Sequence, residues 1–371
     1  MHFQIKRDKL LKSLNIAHNI IERKNTLPIL SNVLLEAKDN KLNIIATDLD
    51  IVYQDEITDI KISKDGSTTT SATVLHDLLR KLPSDLDVVF ILQDENKLNI
   101  TAENSKFNLL CLPVSNFPNF SETFSQDDVI LNRKNLLSLL NKTKISMSND
   151  ETRHYLNGIF LHIAESNGKN YLTGVATDSH RLSSSSMLIE NVKNFKSFIL
   201  PKKTVYQLCN LLVDGDEKIL LNSSENKIQF KIGKSKITSK IIDGKFPDYQ
   251  KVVPKNNSKK LSVNAKDLIN SVERVITVSI DRKEGVKITL NKDSIQLFVN
   301  STSSGEGKET LKANFNSDEI TISFNSKYLL DIASEIKSEN IIMNLNDAVS
   351  PVLILDSSDK QSYFVIMPMK I

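Results

Sequence analysis

The stretch Ala176-Thr177-Asp178-Ser179-His180-Arg181-Leu182 follows the apolar run 171–175 and precedes four consecutive serines. Its first three residues repeat Ala46-Thr47-Asp48, which also follow a strand-like run, and the two triplets lie 130 positions apart (176 minus 46). That spacing is about the length of one protein domain. The chain is therefore expected to repeat a domain-sized unit, with this stretch marking equivalent points.

A helix-forming pattern precedes each triplet and occurs a third time farther along the chain. The three segments lie at 7–14, 132–140 and 264–272, and each has a polar opening followed by apolar residues at helical spacing. Asp8, Asn132 and Asn264 are the predicted capping residues. Three related units in tandem are the simplest explanation of this pattern.

The ends of the first two units also correspond. Segment 112–120 matches segment 242–249, and Phe117 and Phe246 are 129 positions apart (246 minus 117). Repetition at this scale implies tandem domains with separate cores, and not a solenoid of short repeats. We expect domains at 1–125, 126–250 and 251–371, with linkers at 116–126 and 243–258.

Within each unit the periodicity predicts the order strand, helix, several strands, helix, several strands. The predicted fold class is α+β, as three tandem repeats, each with two helices and small antiparallel sheets. The turn signals Asn167-Gly168 and Asp214-Gly215 separate strands of the middle unit. Predicted helices cover 8–21, 73–82, 133–144, 202–212, 265–275 and 326–337. Predicted strands of the outer units cover 3–5, 29–36, 42–46, 51–57, 88–92, 97–102, 107–112, 286–290, 294–300, 319–324, 341–345, 352–355 and 363–367.

The composition indicates a soluble globular chain. Its 371 residues are 40% apolar and 25% charged, and they include two cysteines, Cys111 and Cys209, which we expect to be buried and unpaired. The first residues form a strand pattern without a signal-peptide core, no apolar run is long enough for a membrane span, and a cytoplasmic location is expected. The formal net charge of +3 indicates no concentrated basic field.

Catalysis has little support in the sequence. The chain lacks the phosphate-binding loops G-x-G-x-x-G and G-x-x-x-x-G-K-[ST], and it lacks H-E-x-x-H and G-x-S-x-G. The open alternative is a nuclease or hydrolase that uses Asp48, Asp178 or His180, the last two near Ser183 and its neighbours. Residues two apart cannot form a triad alone, and no cofactor or metal site is expected.

The polar sides of the six predicted helices repeatedly carry Lys or Arg, and in one place His. Such a face is ordinarily solvated, and the helices could simply be the packed layer of three α+β domains. The residues are Lys9, Lys12, His76, Arg80, Arg133, Lys134, Lys142, Lys202, Lys203, Lys266, Arg274 and Lys327.

Five motifs carry a resemblance to a known family over the whole chain. They are 26–30 (TLPIL), 155–158 (YLNG), 176–182 (ATDSHRL), 243–249 (DGKFPDY) and 367–371 (MPMKI). In this order and spacing the chain resembles the bacterial DNA sliding clamps, the beta subunits of DNA polymerase III. The resemblance implies a non-catalytic processivity factor: two chains close head to tail into a ring, with helices inside and sheets outside. Twelve helices at about 10 Å spacing leave room for a DNA duplex.

The resemblance also implies a peptide-binding groove between the second and third units, where the polymerase catalytic subunit, the clamp loader, other polymerases and repair proteins bind. Leu156 and Leu182 could instead be ordinary core residues. Ser179, Lys251 and Ile366 stand where the family commonly has Gly, Arg and Val. The implied groove residues are Leu156, Thr177, Ser179, His180, Arg181, Leu182, Pro247, Lys251, Val252, Val349, Pro351, Val365, Ile366, Met367, Pro368 and Met369.

Two further sets of residues follow from the resemblance. A sparse basic lining suits a sliding ring, because each neutralised phosphate adds to the barrier against movement. The implied DNA-facing residues are Lys12, Lys24, Arg80, Lys202 and Lys203. The implied dimer seam pairs strand edges at 106–109 and 309–312, through Phe107, Leu109, Thr277, Val278 and Leu311. The same strands could alternatively be covered edges of a monomer.

Overall fold

The structure is a computed structural model of the chain, and it describes residues 1–22, 26–94, 96–120, 124, 129–190, 195–213, 218–279 and 285–369. The chain forms two compact units. Unit 1 comprises residues 1–137 and 203–241, and unit 2 comprises residues 138–202 and 242–371. The middle of the chain thus contributes to both units.

The described residues form six α-helices and 25 strands, connected by short loops and 3₁₀ turns. The first group is β1 (His2–Lys6), α1 (Arg7–Ile20), β2 (Asn32–Lys38), β3 (Lys41–Thr47), β4 (Ile51–Ile57), β5 (Lys61–Lys64), β6 (Gly66–Ser71), α2 (Ala72–Lys81), β7 (Asp87–Asp94), β8 (Lys97–Ala102) and β9 (Ser105–Leu112). The second is β10 (Val129–Asn132), α3 (Arg133–Lys144), β11 (Gly158–Ser166), β12 (Lys169–Thr177), β13 (Arg181–Ile189), β14 (Phe198–Pro201), α4 (Lys202–Leu211), β15 (Lys218–Ser223), β16 (Lys227–Ile232) and β17 (Ser235–Lys240). The third is β18 (Lys259–Asn264), α5 (Ala265–Val275), β19 (Gly285–Leu290), β20 (Ser294–Ser301), β21 (Gly305–Phe315), β22 (Ile320–Asn325), α6 (Ser326–Glu335), β23 (Asn340–Leu345), β24 (Val352–Asp356) and β25 (Asp359–Ile366).

The predicted helices are present, with no end more than two residues from its predicted position. Asn132 and Asn264 cap α3 and α5, because each side-chain oxygen accepts the N–H three residues later at 3.1 Å. The predicted cap Asp8 is wrong: it lies inside the first turn of α1, where its carboxylate accepts the N–H of Asp85 and the guanidinium of Arg7. Every described helix is too short or too polar to span a bilayer.

The predicted antiparallel pairing is confirmed, and the strands of each unit join into one continuous sheet. Unit 1 has 13 strands in the order β10-β15-β16-β17-β4-β3-β2-β6-β9-β8-β7-β1-β5. Unit 2 has 12 in the order β14-β11-β12-β13-β25-β24-β23-β18-β21-β20-β19-β22. Strands from successive repeats join because β4 pairs with β17 and β13 pairs with β25, which satisfies the edges of both.

In the outer units β5, β6 and β18 were not predicted, β21 was expected only as the seam edge 309–312, and one predicted strand begins late. The polar β5 and β6 have no apolar alternation; β6 is held between β2 and β9, where the Thr69 hydroxyl donates to the carbonyl of Leu112. Residues predicted to start a strand at 29 form a 3₁₀ turn, Pro28–Ser31, because proline lacks the N–H of a ladder residue. The turn Asn167-Gly168 is confirmed by positive φ at both residues, whereas Asp214-Gly215 lies outside the described residues.

Apolar side chains fill the interior. In unit 2, α5 and α6 pack on the sheet through Leu268, Val272, Leu329 and Ile332, all of them buried. Cys111 and Cys209 are buried and free of disulfides, as predicted.

Candidate functional site

The stretch 176–182 forms the tight connection between β12 and β13 in unit 2. The Thr177 hydroxyl donates to the carbonyl of Arg181 at 2.7 Å, and one oxygen of Asp178 accepts the N–H groups of His180 and Arg181 at 3.0 Å each. Ser179 therefore takes a left-handed conformation with φ of 77°. Its hydroxyl accepts a hydrogen bond from Arg153 at 2.6 Å.

The first repeat builds the same turn in unit 1. The Thr47 hydroxyl donates to the carbonyl of Ile51 at 2.8 Å, and Asp48 accepts the N–H groups of Asp50 and Ile51 at 3.0 and 2.7 Å. Leu49 has φ of 76°, matching Ser179. The shared residues are thus explained by turn geometry, since threonine and aspartate supply the side-chain acceptors that replace backbone ladder bonds.

Arg181 ties this turn to α6. Its guanidinium contacts Asp178 at 3.0 Å and Asp331 at 2.7 Å, and it lies 4.2 Å from the ring centre of Tyr328. The His180 ring stacks on the same Tyr328 at 6.4 Å. Arg181 is 7% exposed, so its charge is satisfied inside the protein and is not offered to a ligand.

The sequence predicted Arg181 at this site, but it did not predict the α6 residues that Arg181 contacts. Tyr328 and Asp331 are three residues apart and lie on one face of the helix. Asp331 also accepts a hydrogen bond from Lys327 at 2.8 Å. A Tyr-x-x-Asp spacing on an amphipathic helix was the available signal, but it does not identify the arginine that it meets.

The chain end forms the second wall of the site. Strand β25 pairs with β13, with Arg181 opposite Ile366 and Leu182 opposite Val365. Beyond β25 the N–H of Met367 donates to the carbonyl of His180, and the N–H of Met369 donates to the carbonyl of Ser323, each at 2.8 Å. The tail is therefore docked as far as Met369; residues 370–371 lie outside the described residues.

The predicted lining separates into a buried floor and an exposed rim. Leu156, Leu182 and Val365 pack together with Phe246 in one buried cluster, so they are core residues beneath the surface. Ile366 is also buried, but it packs against the larger core of unit 2. The exposed apolar side chains are Val252 (53%), Val349 (77%), Met367 (40%) and Met369 (39%).

The remaining predicted residues lie in loops beside this rim. Val349 and Pro351 lie in the loop after β23, which Asp347 fixes by accepting the N–H groups of Val349 and Ser350 at 2.9 and 2.6 Å. These hydrogen bonds lower the pKa of the Asp347 carboxyl. Pro247 is exposed, and Lys251 is exposed within 3.2 Å of Asp248.

His162 and Phe160, which the sequence analysis did not single out, support the floor through Tyr249 and Phe246. His162 lies 3.0 Å from the hydroxyl of Tyr249, and burial lowers the pKa of the imidazole while raising that of the phenol. Phe160 stacks on Phe246 with ring centres 5.0 Å apart. Gly158 is required in the YLNG motif, because a Cβ there would lie 2.2 Å from the carbonyl oxygen of Leu200.

The predicted DNA-facing residues differ in exposure and in whether a carboxylate pairs with their charge. Lys12 is exposed on α1, and Arg80 is exposed at the end of α2, 3.5 Å from Asp77. Lys203 contacts Asp48 at 2.5 Å and Glu22 at 3.3 Å, so its charge is largely compensated. Lys202 hydrogen-bonds Asn149, and burial with nearby cations lowers the pKa of its ammonium. Lys24 lies outside the described residues.

The predicted seam segments are open along one edge in each unit. In unit 1, residues 105–110 of β9 pair with β8, and only Cys111 and Leu112 also pair with β6. In unit 2, residues 305–312 of β21 pair with β20, and only residues 313–315 also pair with β18. Within the described residues, the other side of both segments lacks a strand partner.

The side chains of these segments alternate between exposed and half-buried positions. Phe107, Leu109 and Leu311 are half-buried, and Leu110, which the sequence analysis did not single out, is 82% exposed. In unit 2, Thr277 and Val278 form a 3₁₀ turn beside β21, and the hydroxyl of Thr277 donates to the carbonyl of Arg274 at 2.6 Å.

The carboxylates of the nuclease alternative are occupied by structural bonds. Asp178 accepts two backbone N–H groups and the Arg181 guanidinium, and Asp48 accepts two backbone N–H groups and the Lys203 ammonium. In the part of the chain that the structure describes, no three His, Cys, Asp or Glu side chains are grouped to hold a metal ion.

Comparison with known proteins assigns all three repeats. Family profiles for the DNA polymerase III beta subunit match this chain: the N-terminal domain at residues 1–121, the central domain at 130–248 and the C-terminal domain at 250–370. The beta sliding clamps of Caulobacter vibrioides and Escherichia coli K12 are 35% and 33% identical, each over 100% of both chains. A crystal structure of the Bartonella birtlesii sliding clamp bound to griselimycin superposes with a TM-score of 0.95 at 39% identity, covering 100% of both chains. This chain belongs to the DNA polymerase III beta-subunit family, the bacterial sliding clamps.

Proposed function

We propose that two copies of this chain close head to tail into a ring that encircles duplex DNA and slides along it without sequence specificity. The ring is a processivity factor without catalytic activity of its own. It tethers the catalytic subunit of DNA polymerase III, the clamp loader, other DNA polymerases and repair proteins during replication in the cytoplasm. The three domains are 1–125, 126–250 and 251–371, close to the family matches.

The observation that carries ring closure is the pair of open strand edges on β9 and β21. Exposed edges with alternating apolar side chains favour aggregation unless another strand covers them. Joining β9 of one chain to β21 of the next satisfies both edges and continues the sheet in the way that β4–β17 and β13–β25 do within one chain. Because the two edges lie in different segments, the pairing is head to tail, and two chains that form this contact twice close a ring.

The low net charge of the chain supports a ring that slides along DNA. A formal net charge of +3 and compensated lysines such as Lys203 leave few cations for phosphates. Fewer phosphate contacts mean a weaker salt-dependent term and a lower barrier to movement along the duplex. Phosphate contacts also carry no base information, so binding is indifferent to sequence. Lys12, Lys24, Arg80, Lys202 and Lys203 are the DNA-facing residues in this proposal.

Topological linkage has a direct test. We expect the chain, loaded by a clamp loader, to stay on nicked circular DNA through gel filtration and to be lost when the circle is linearised. Equal retention on circular and linear DNA would mean that affinity, and not encirclement, holds the protein. The nuclease alternative is tested in parallel, since metal-dependent cleavage that disappears in Asp178→Asn would replace the clamp assignment with an enzyme.

The exposed rim of unit 2 is the peptide-binding groove of this proposal. Met367 and Met369 provide adaptable apolar surface over the floor formed by Leu156, Leu182 and Val365. Flexible thioethers of this kind accommodate short peptides with apolar anchors. Deletion of residues 367–371 is expected to abolish binding of a fluorescent clamp-binding peptide.

The control for that deletion is the oligomeric state. The seam segments lie elsewhere in the chain, so the truncated protein should sediment like the full chain. Unchanged peptide affinity would contradict the groove assignment. Loss of both peptide binding and self-association would indicate instead that the deletion unfolds the third domain.

A further inference from the structure

Unit 1 contains a cavity to which the proposed function assigns no ligand, although the proposed DNA-facing Lys12 is among its lining residues. Its volume is about 620 Å³, within the usual range for small-molecule sites, and it lies among α1, the end of β4 and the end of α4. Ile16, Leu211 and Val213 form its apolar wall. The buried Tyr53, together with Ser13, Asp55 and Ser235, supplies its polar groups.

The next repeat fills the corresponding place with a lysine. Both α1 and α3 begin with an arginine, Arg7 and Arg133, and Ile16 and Lys142 each stand nine positions later (16 minus 7, 142 minus 133). Lys142 is 2% exposed, and its ammonium pairs with Asp359 of β25. In unit 1 the equivalent helix position carries no charge.

Unit 1 nevertheless has a carboxylate, that of Asp55, beside the corresponding serine. In the β13–β25 pair, the Ser362 hydroxyl donates to Asp359 at 2.7 Å and lies 2.8 Å from the hydroxyl of Ser185. In the β4–β17 pair, Ser235 occupies the place of Ser362, and its hydroxyl donates to Asp55 at 2.8 Å. The corresponding serine therefore orients a carboxylate in both pairs, although Asp359 lies on β25 itself and Asp55 lies on β4, at the position of Ser185.

The other charges around the cavity leave Asp55 without a cationic partner. Lys9 pairs with Asp59, and Glu56 pairs with Lys41 and Lys234. Among the described residues no Lys or Arg pairs with Asp55. Of the two other cations that line the cavity, Arg133 donates to the carbonyl of Leu211 at 2.6 Å, and Lys12 is exposed.

We propose that this cavity binds a primary ammonium group on a short alkyl chain, with the ammonium on Asp55 and the alkyl chain on Ile16, Leu211 and Val213. The ligand takes the place that the Lys142 side chain occupies in the next repeat. Two sources offer this chemistry: a free aliphatic diamine or polyamine, and a lysine side chain of a partner protein. The inference concerns unit 1 and does not depend on peptide binding in unit 2.

The test uses 1,5-diaminopentane as the probe and the full-length protein, with binding followed by isothermal titration calorimetry and NMR line broadening of the amine. We expect saturable binding that falls at least tenfold in Asp55→Asn and in Ile16→Lys, the second because an internal ammonium then occupies the site. Hexanoate, which has a similar chain and the opposite charge, should not bind.

A positive control comes from the repeat that already has its lysine. Lys142→Ala should create a second amine site that depends on Asp359, and bound n-butylamine should raise the melting temperature of this variant more than that of the parent chain. Unchanged amine binding in Asp55→Asn, or hexanoate binding as tightly as the amine, would overturn the proposal, as would the absence of saturable binding in the folded parent chain.

Competition separates the two sources. A short lysine-containing peptide that displaces 1,5-diaminopentane, and binds more tightly than a matched peptide with norleucine, identifies a partner's lysine as the ligand. Binding of the diamine with no displacement by the peptide identifies a free amine. Circular-DNA retention by the Asp55→Asn variant should equal that of the parent, which separates failure of this site from failure of the clamp function.

Discussion

Arg181 holds the β12–β13 turn against α6 through its ion pairs with Asp178 and Asp331. Replacing it with Gln removes the cation from between Asp178 and Asp331 and leaves two carboxylates in a partly buried place. Breaking such a pair from one side costs about 2–3 kcal/mol when burial is incomplete. We expect Arg181→Gln to lower the urea-unfolding midpoint clearly, measured by circular dichroism.

The matched control is Lys251→Gln, which removes a cation from an exposed pair with Asp248. Exposed pairs of this kind contribute little to stability, so its unfolding midpoint should match the parent. Equal effects of the two substitutions would show that the contacts of Arg181 are no stronger than surface pairs.

Ser179 provides a second prediction at this scale, since its φ of 77° is costly for any residue with a Cβ. Ser179→Gly should stabilise unit 2 by up to about 1 kcal/mol, reduced by the lost hydrogen bond from Arg153, and Ser179→Val should destabilise it by about 1–2 kcal/mol. Leu49→Gly tests the same conformation in unit 1 without loss of a side-chain hydrogen bond. A stabilising valine at 179 would contradict this account.

Sequence reasoning at the residue scale was limited by contacts between distant parts of the chain. The turn at 176–182 is built locally, because Thr177 and Asp178 hydrogen-bond within four residues. The sequence could not give the partners of Arg181, since Tyr328 and Asp331 lie about 150 residues away. The sequence also could not separate the buried floor from the exposed rim. Apolar residues occur in both, and the pairing of β13 with β25 decides which side chains on these strands point inward.

At the scale of elements, Asp356 joins three pieces of secondary structure at the end of β24. Its carboxylate is buried, and it accepts the N–H of Lys337 just after α6 and the N–H and hydroxyl of Ser358 before β25. Burial alone would raise its pKa, but these hydrogen bonds outweigh burial and lower it from 3.8 to about 2. The ionised form is therefore the one that stabilises the fold.

The sign of the pH dependence follows from that shift. Between pH 4 and 2 the unfolded chain binds a proton at Asp356 that the folded chain does not, so stability falls as the pH falls through this window. We expect Asp356→Asn to cost about 2 kcal/mol at pH 7 and progressively less toward pH 2, measured by urea unfolding across the range. Asp318→Asn, at an exposed position, is the control. A constant difference at all pH values would indicate a steric effect of the amide.

Elements with strong periodicity were predicted well, and polar ones were not. The helices and the alternating strands follow from apolar spacing alone. Strands β5 and β6 consist mainly of Lys, Ser, Thr and Gly, so their backbones pair with neighbours without any pattern in their side chains. The predicted cap of α1 was wrong because the Asp8 carboxylate accepts the N–H of Asp85, far along the chain, and not an N–H of the first turn of α1.

At the scale of the whole molecule, the repeats predicted the number of domains but not the continuity of their sheets. A small sheet in each half of a repeat is a natural reading of strands and helices in alternation. Only the pairing of β4 with β17 and of β13 with β25 turns those small sheets into two long ones. If open strand edges are covered by pairing, the edges of β9 and β21 should pair between chains, which leads to a prediction about self-association.

Leu110 is the most exposed large apolar side chain among the described residues, and it lies on the open part of β9. We expect Leu110→Lys to raise the dissociation constant of the dimer at least tenfold, about 1.4 kcal/mol, because the new ammonium must be desolvated when the edge is covered. Leu188→Lys introduces the same charge on β13, at a position paired with Tyr171, and should leave the dimer unchanged. Sedimentation equilibrium measures both. Dimers of equal strength in the two variants would mean that β9 is not at the seam, and the open edge would then need another partner.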